Sequence, residues 1–137
     1  MLDLNIIGSH TPLKKEEIQT VFNEAVEKYG DKKTGHINLI FVRKDEIRNL
    51  NWDFRRKNKA TDVLTFIYDD KCAGEILICK DFIKENIRED LKTDMVKAFI
   101  HGILHLRGFD HEKSEKEAKS MEKKEREIFQ KISIKIL

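Results

Sequence analysis

Three of the chain's five histidines stand within the short stretch HGILHLRGFDH (101–111). His101 and His105 are four residues apart, so on a helix their side chains share one face, with Cβ atoms about 6 Å apart. Gly108 can adopt the left-handed conformation that ends a helix, and the turn would return His111 to the same point. Three neutral imidazoles can bind one zinc ion and leave a fourth position for water, which is the catalytic arrangement. The spacing therefore predicts a metal site.

The same spacing occurs in the metzincin peptidases, whose pattern is HExxHxxGxxH and whose glutamate is the general base. Gly102 stands where that glutamate would be and carries no proton acceptor, which argues against a peptidase. Asp110 and Glu112 lie beside the third histidine, and either can act as a base or orient an imidazole. The alternative is that Asp110 is a turn residue and Glu112 a solvated charge. Because imidazoles suit both metals, the ion is expected to be zinc, with nickel as the alternative.

A basic loop within FRRKNKATDVLTF (54–66) carries four cations, and they are Arg55, Arg56, Lys57 and Lys59. A guanidinium held there can donate two parallel hydrogen bonds to a phosphate. Trp52 and Phe54 lie beside the loop and can stack on unpaired bases, although Trp52 is expected to be buried in the core. The alternative for the cations is a solvated charge run. A metal site next to a phosphate-binding arginine nevertheless predicts the cleavage of a phosphodiester.

The apolar pattern predicts an α+β domain, a small mixed sheet of about four strands covered by helices, with a buried helix carrying the metal ligands. Strands are expected over 2–8, 36–43, 61–68 and 74–80, the last two as a hairpin. Helices are expected over about 18–29, 44–52 and 81–89, and two more begin at N-caps, Thr93 and Ser114. A stripe at helical spacing predicts that the fourth helix is buried, and it comprises Val96, Phe99, Ile100, Ile103 and Leu104.

Size and composition limit the classes of protein that this chain can be. The 137 residues suffice for one domain, expected over 1–137, and the net charge of +2 requires any nucleic-acid contact to come from a local patch. No apolar run is long enough to cross a bilayer, and no signal peptide is apparent. Cys72 and Cys79 do not form a CxxC motif, which is typical of reduced thiols in a cytoplasmic protein.

Three segments resemble the YbeY family of bacterial metal-dependent endoribonucleases, and they occur in the same order along the chain as in that family. They are FRRKNKATDVLTF, GEILICKD and HGILHLRGFDH. The resemblance covers most of residues 36–130, and the family signature HGxLHLxGYDH is matched with Phe109 in place of tyrosine. It implies a zinc site at His101, His105 and His111, and Arg55 as the catalytic arginine. The loop departs from the usual RxKDKPTDVLSFP at Asn58, Ala60, Thr65 and Ile67.

The resemblance also implies a biological role. Single-stranded RNA would be the substrate, and the role would be maturation of ribosomal RNA, especially the 3′ end of the small-subunit RNA, and ribosome quality control. The partners would be the ribosome or ribosomal proteins. Apart from the resemblance, the basic loop makes Arg56, Lys57 and Lys59 candidates for contacting the RNA. Two other functional hypotheses stay open: a metallopeptidase with the same ligands, and a ribosome assembly factor whose zinc is structural. Direct hydrolysis and attack by the RNA 2′-hydroxyl also stay open.

Overall fold

A computed structural model describes residues 2–29, 35–68, 74–106 and 114–137. Its strands are β1 (Leu2–Ile7), β2 (Gly35–Phe41), β3 (Val63–Phe66) and β4 (Gly74–Ile78). Its helices are α1 (Lys15–Tyr29), α2 (Lys44–Arg55), α3 (Lys80–Glu85), α4 (Leu91–Leu106) and α5 (Glu115–Ile136). The described part of the chain is therefore an α+β protein with a four-stranded sheet, as the sequence predicts.

The sheet has the strand order β1-β2-β4-β3 and is mixed. β1 pairs with β2 and β2 with β4 in parallel, whereas β3 pairs with β4 antiparallel, with Leu64 opposite Leu77. This antiparallel pair is the predicted hairpin. Gly74 opens β4 at φ 138°, and a Cβ there would lie 2.0 Å from the carbonyl oxygen of Phe66. Only glycine fits this approach of the two strands.

Helices cover both faces of the sheet, because alternate residues of each strand point to opposite sides. Ile76 and Ile78 of β4 belong to the large core, which they share with apolar residues of α1, α4 and α5. Leu77 belongs to a smaller core on the other face, with Ile47 of α2 and Cys79. Burial raises the pKa of the Cys79 thiol, as expected for a structural cysteine.

Helix α4 is the central helix of the large core, and every member of its predicted apolar stripe is buried. Gly102 lets this helix approach the sheet, because a Cβ there would lie 2.7 Å from Cγ2 of the buried Ile76. The face that carries Gly102 is thus the sheet-facing side of α4. The glycine inside the histidine motif is explained by packing, since no side chain fits between α4 and β4.

Two helix boundaries near the site differ from the prediction, whereas the cap of the last helix agrees with it. The fourth helix begins at Leu91 rather than after Thr93, because the Asp90 carboxylate accepts the Thr93 N–H at 2.8 Å and its hydroxyl at 3.0 Å. Helix α2 runs on to Arg55, so the basic loop is shorter than expected. Ser114 does cap α5, accepting the Glu117 N–H at 3.1 Å. None of the helices in the described ranges is long and apolar enough to cross a membrane.

Candidate active site

The two histidines of α4 converge on one point. Nε2 of His101 lies 3.1 Å from Nε2 of His105, and the two rings meet edge to face with their centroids 4.7 Å apart. Both side chains are half-buried. The four-residue spacing on a helix brings the rings together, as the sequence predicts. The two Nε2 atoms are therefore close enough either to share a hydrogen bond or to bind one ion between them.

Glu125 of α5 fixes the orientation of the first imidazole. Its Oε1 lies 2.6 Å from Nδ1 of His101. A carboxylate can only accept, so Nδ1 carries the proton, and in the neutral imidazole this leaves the lone pair on Nε2. Such a carboxylate partner on the outer nitrogen is what metal-binding histidines usually have.

This arrangement fits a zinc-type ion. Two nitrogen ligands of a tetrahedral zinc ion, each at about 2.0–2.1 Å, lie roughly 3.3 Å from each other. The observed 3.1 Å between the two Nε2 atoms is close to that value. In the ranges 2–29, 35–68, 74–106 and 114–137, no cluster of three His, Cys, Asp or Glu side chains could hold a metal. Within these ranges His101 and His105 are thus the two residues whose ring nitrogens have the spacing of ligands to one such ion.

Other predicted residues of the motif lie outside the described ranges. His111, the expected third ligand, falls there, and so do Gly108, Asp110 and Glu112. Their roles stay predictions.

The two histidines line a cleft of about 400 Å³, which we call the histidine cleft. Its other walls come from the end of α2, the basic loop and the edge strand β3, and its lining residues include Asn51, Arg55, Lys57, Lys59, Thr61, Asp62 and Thr65. The structure therefore brings Arg55, Lys57 and Lys59 to the same cavity as His101 and His105. Residues more than forty positions apart in the chain share one site.

The local fold of the basic loop places these cations. Arg56 follows the last residue of α2 in the left-handed conformation, at φ 57° and ψ 33°. The backbone N–H of Arg56 donates to the Trp52 carbonyl and that of Lys57 to the Asn51 carbonyl. Nδ2 of Asn51 also donates to the Lys59 carbonyl at 2.9 Å. The loop is thereby folded back onto the end of the helix, against the cleft.

Asn51 is 1% exposed, and its Oδ1 has no hydrogen-bond partner among the described residues. A buried unsatisfied polar atom costs about 1–3 kcal/mol. That cost is offset by the backbone and side-chain hydrogen bonds through which Asn51 shapes the loop. Asn51 is thus a positioning residue that the sequence did not reveal.

A second cleft of about 540 Å³ lies on the other side of His101. Phe82, Arg88, Lys97 and Glu125 are among the residues that line it. Asp62 and His101 line both clefts, so the two cavities meet at this pair of residues. Oδ1 of Asp62 accepts the Val63 N–H at 2.8 Å, which holds the carboxylate at the start of β3.

Glu125 and Asp62 are functional candidates that the sequence analysis missed. Glu125 lies on the inward stripe of α5, four residues after Met121 and three before Ile128, both buried. A carboxylate in an apolar stripe is unexpected unless it has a partner, and that signal could have identified it. Asp62 gave no comparable signal, because an acid after a basic loop is ordinary on a surface.

The prediction that Trp52 belongs to the core is wrong. Trp52 is 47% exposed and Phe54 is 67% exposed. The core side of α2 is occupied by Ile47 and Asn51 instead. Trp52 is one residue past Asn51, about 100° around the helix, so its ring faces away from the small core.

Known proteins resemble the chain along most of its length. The model of a family described as Endoribonuclease YbeY matches residues 6–133. A Thermotoga neapolitana protein named Endoribonuclease YbeY is 39% identical over 117 residues, which cover 82% of this chain and 78% of that protein. One of the same name from Neorickettsia sennetsu is 29% identical and covers 98% of this chain and 99% of its own. A Thermotoga maritima solution structure has 36% identity and a TM-score of 0.68, covering 95% of this chain and 89% of that one.

Fold and site together define a class: small α+β proteins with a histidine pair set in a cation-lined cleft, an arrangement suited to hydrolytic chemistry. Within that class the family model and the relatives agree. The chain belongs to the Endoribonuclease YbeY family.

Proposed function

We propose that this chain cuts single-stranded RNA internally, using one divalent ion held by His101, His105 and His111. Family membership supports the coarser statement, an endoribonuclease and therefore a nuclease of the hydrolase class. The finer statements are our own: a zinc ion, with nickel as the alternative, and a single functional domain over 1–137. The ion is supported by the two neighbouring Nε2 atoms and by the spacing of the third histidine, and the single domain by the length of the chain.

The observation that carries the proposal is the composition of the histidine cleft. Its lining places Arg55, Lys57 and Lys59 around the same cavity as the paired imidazoles. A phosphodiester carries negative charge, and more charge develops in its transition state. A cleft that joins metal-type ligands to three cations therefore suits a phosphodiester better than it suits a peptide bond.

Each residue would then have a distinct task. A bound zinc ion supplies Lewis-acid chemistry, lowering the pKa of a coordinated water to about 7 from about 15.7. Arg55 would donate two hydrogen bonds to the reacting phosphate and neutralise the charge that builds up on it. Lys57 and Lys59, with Arg56 outside the cleft lining, would hold neighbouring phosphates of the strand. Glu125 would keep His101 in the tautomer that presents Nε2.

We propose two carboxylates as candidates for the general base. Asp110, beside the third histidine in sequence, is one candidate for a base or for orienting an imidazole. Asp62 is the other, because its carboxylate stands on the wall shared by both clefts. Comparing the pH–rate profiles of Asp110→Asn and Asp62→Asn distinguishes them, since only loss of the base removes the acidic limb.

The biological setting is proposed from the family resemblance. We propose that the RNA is ribosomal, that the reaction matures the 3′ end of the small-subunit RNA and serves ribosome quality control, and that it takes place in the cytoplasm. The ribosome or its proteins would be the partners. Accumulation of unprocessed small-subunit RNA in cells that carry only the Arg55→Glu protein would test this role.

The metallopeptidase alternative is disfavoured by packing. The position that would carry the peptidase glutamate is Gly102, and a Cβ there would meet Ile76 of the sheet. A side chain at this position would therefore be directed into the core, away from the cleft. The assembly-factor alternative predicts ribosome binding without any cleavage that a chelator stops.

An RNA-cleavage assay tests the proposal. Fluorescently labelled single-stranded RNA should be cut by the purified chain, cutting should stop with chelator, and it should return when the metal is added back. A peptide library under the same conditions should stay intact. RNA cleavage that continues unchanged in chelator would overturn the role of the ion, and peptide cleavage would favour the alternative.

A further inference from the structure

Trp52 is a large apolar side chain held on the surface beside the histidine cleft. It is the chain's single tryptophan. The residue is 47% exposed, and the Arg56 guanidinium lies 5.5 Å from the ring centroid. An arginine at this distance holds an indole in place by a cation–π interaction. The ring is therefore in contact with a cation and accessible at once, and the core does not explain its presence.

The surroundings of Trp52 are basic. Arg48 and Arg55 are four residues before it and three residues after it on α2, so all three share one face of the helix. Asp53 is the only acidic residue between positions 47 and 61 in the sequence. The partner of such a face must therefore combine flat apolar surface with negative charge. Unpaired bases on a phosphate backbone have both properties, whereas an apolar protein partner has only the first.

The face is also continuous with the candidate active site. Arg55 belongs to it and lines the histidine cleft at the same time. Asn51, next to Trp52 in the chain, forms another part of the cleft wall. A strand whose reacting phosphate lies at Arg55 and that follows this face of α2 would pass Trp52 within one turn of the helix.

We infer that Trp52, with Arg48 and Arg56 beside it, forms a stacking platform for unpaired bases of the strand that enters the histidine cleft. This inference rests on the proposed function, since it extends the path of the same RNA. The ring faces accept any base, so the platform adds affinity for single strands without sequence preference. It also discriminates against duplexes, whose bases are already stacked on one another.

The single tryptophan allows a direct test on the whole chain. A 12-nucleotide oligo(A) is titrated in chelator, so that no cleavage occurs, while the tryptophan fluorescence is recorded. We expect saturable quenching by the single strand and none by a matched RNA duplex. Quenching that is absent, or equal for the two, in a protein that cleaves RNA would overturn the platform.

Variants provide a second, independent readout, the affinity for labelled oligo(A) by fluorescence anisotropy. Loss of one stacked base weakens binding roughly five- to 150-fold, so Trp52→Leu should raise the Kd by at least about fivefold. Trp52→Phe should restore most of the affinity, because it keeps a ring. Ile134→Ala, which truncates an 88% exposed apolar side chain of α5, should bind as the unaltered chain does.

The possible outcomes distinguish failure of the stacking platform from failure of the proposed RNA cleavage. If RNA is cleaved and Trp52→Leu binds it as tightly as the unaltered chain, only the platform is overturned. If quenching occurs but no cleavage is found under any metal, the proposed function fails and the platform stands as an RNA-binding surface. A penalty of Trp52→Leu on KM that increases with substrate length would support both.

Discussion

Oε1 of Glu125 lies 2.6 Å from Nδ1 of His101, although the two residues belong to different helices. This relationship links α5 to the chemistry of α4, because it decides which imidazole nitrogen is available to a metal. The long last helix is thus part of the site as well as part of the core.

Replacing Glu125 should weaken metal binding without unfolding the chain. Loss of such an outer partner typically costs 10–100-fold in metal affinity or activity, so we expect a fall of about that size for Glu125→Gln. Competition with a chromogenic zinc chelator measures it. Glu127→Gln, on the same helix but paired with Lys28 at 3.1 Å, is the matched control. Equal zinc affinity in the two variants would show that Glu125 does not act on the metal.

Arg55→Glu should cripple RNA cleavage while the metal stays bound. One preorganised electrostatic donor is typically worth on the order of 10²–10³ in rate, and the reversed charge should cost at least that. Arg55→Lys should recover only part of the loss, because lysine keeps the charge but not the two-pronged geometry. Single-turnover cleavage and metal content are measured together. Lys131→Glu reverses the charge of an exposed residue outside both clefts and serves as the control. Cleavage by Arg55→Glu at the wild-type rate would refute the catalytic role of Arg55.

Gly102→Ala should destabilise the protein, although alanine is the better helix former. The added Cβ would lie 2.7 Å from Cγ2 of Ile76, which is β-branched and fully buried, so the close-packed core opposes its displacement. Overpacking typically costs about 1–3 kcal/mol, which exceeds the gain of about 1 kcal/mol in helix propensity. Urea unfolding measures the difference. The paired variant Gly102→Ala with Ile76→Leu, which removes the second γ-carbon of the isoleucine and keeps its volume, should recover stability if the clash is the cause. A more stable single variant would contradict it.

Stability should fall in acid partly through Asp90, the residue that caps α4. Hydrogen bonds from the backbone N–H and hydroxyl of Thr93 lower the pKa of Asp90 from its ordinary 3.8. Because the pKa of Asp90 is lower in the folded chain than in the unfolded chain, its carboxylate stabilises the fold above about pH 3.8. This stabilisation is lost as the pH falls through the folded-state pKa. Urea unfolding from pH 6 to about pH 2 should therefore show the difference between the unaltered chain and Asp90→Asn shrinking below pH 4. Asp53→Asn serves as control, and a pH-independent difference would contradict the assignment.

The sequence predicts the parts of this protein that depend on local patterns. The apolar stripe of α4, the Ser114 cap and the β3–β4 hairpin each follow from residues near one another in the chain, and all are present. The pairing of His101 with His105 is local as well, since four residues on a helix fix it. The family resemblance depends on such stretches, and the comparisons confirm it.

Features that depend on tertiary packing were missed. The sequence around Trp52 does not reveal that the polar Asn51 is buried while Trp52 is exposed. Glu125 acquires its partner only when α5 packs on α4, 24 residues away. The end of α2 extends to Arg55 because the Asn51 and Trp52 carbonyls accept the following N–H groups, a bonding pattern that charges in the sequence do not reveal.

The most direct test of the central claim measures metal content and RNA cleavage on the same samples. We expect the unaltered chain to hold one zinc or nickel ion and to cleave single-stranded RNA, and chelation to remove both the ion and the activity. His105→Ala should lose the ion and the activity together, while His36→Ala, an exposed histidine outside the site, should keep both. Full metal content in His105→Ala, or cleavage that persists without any ion, would contradict the account.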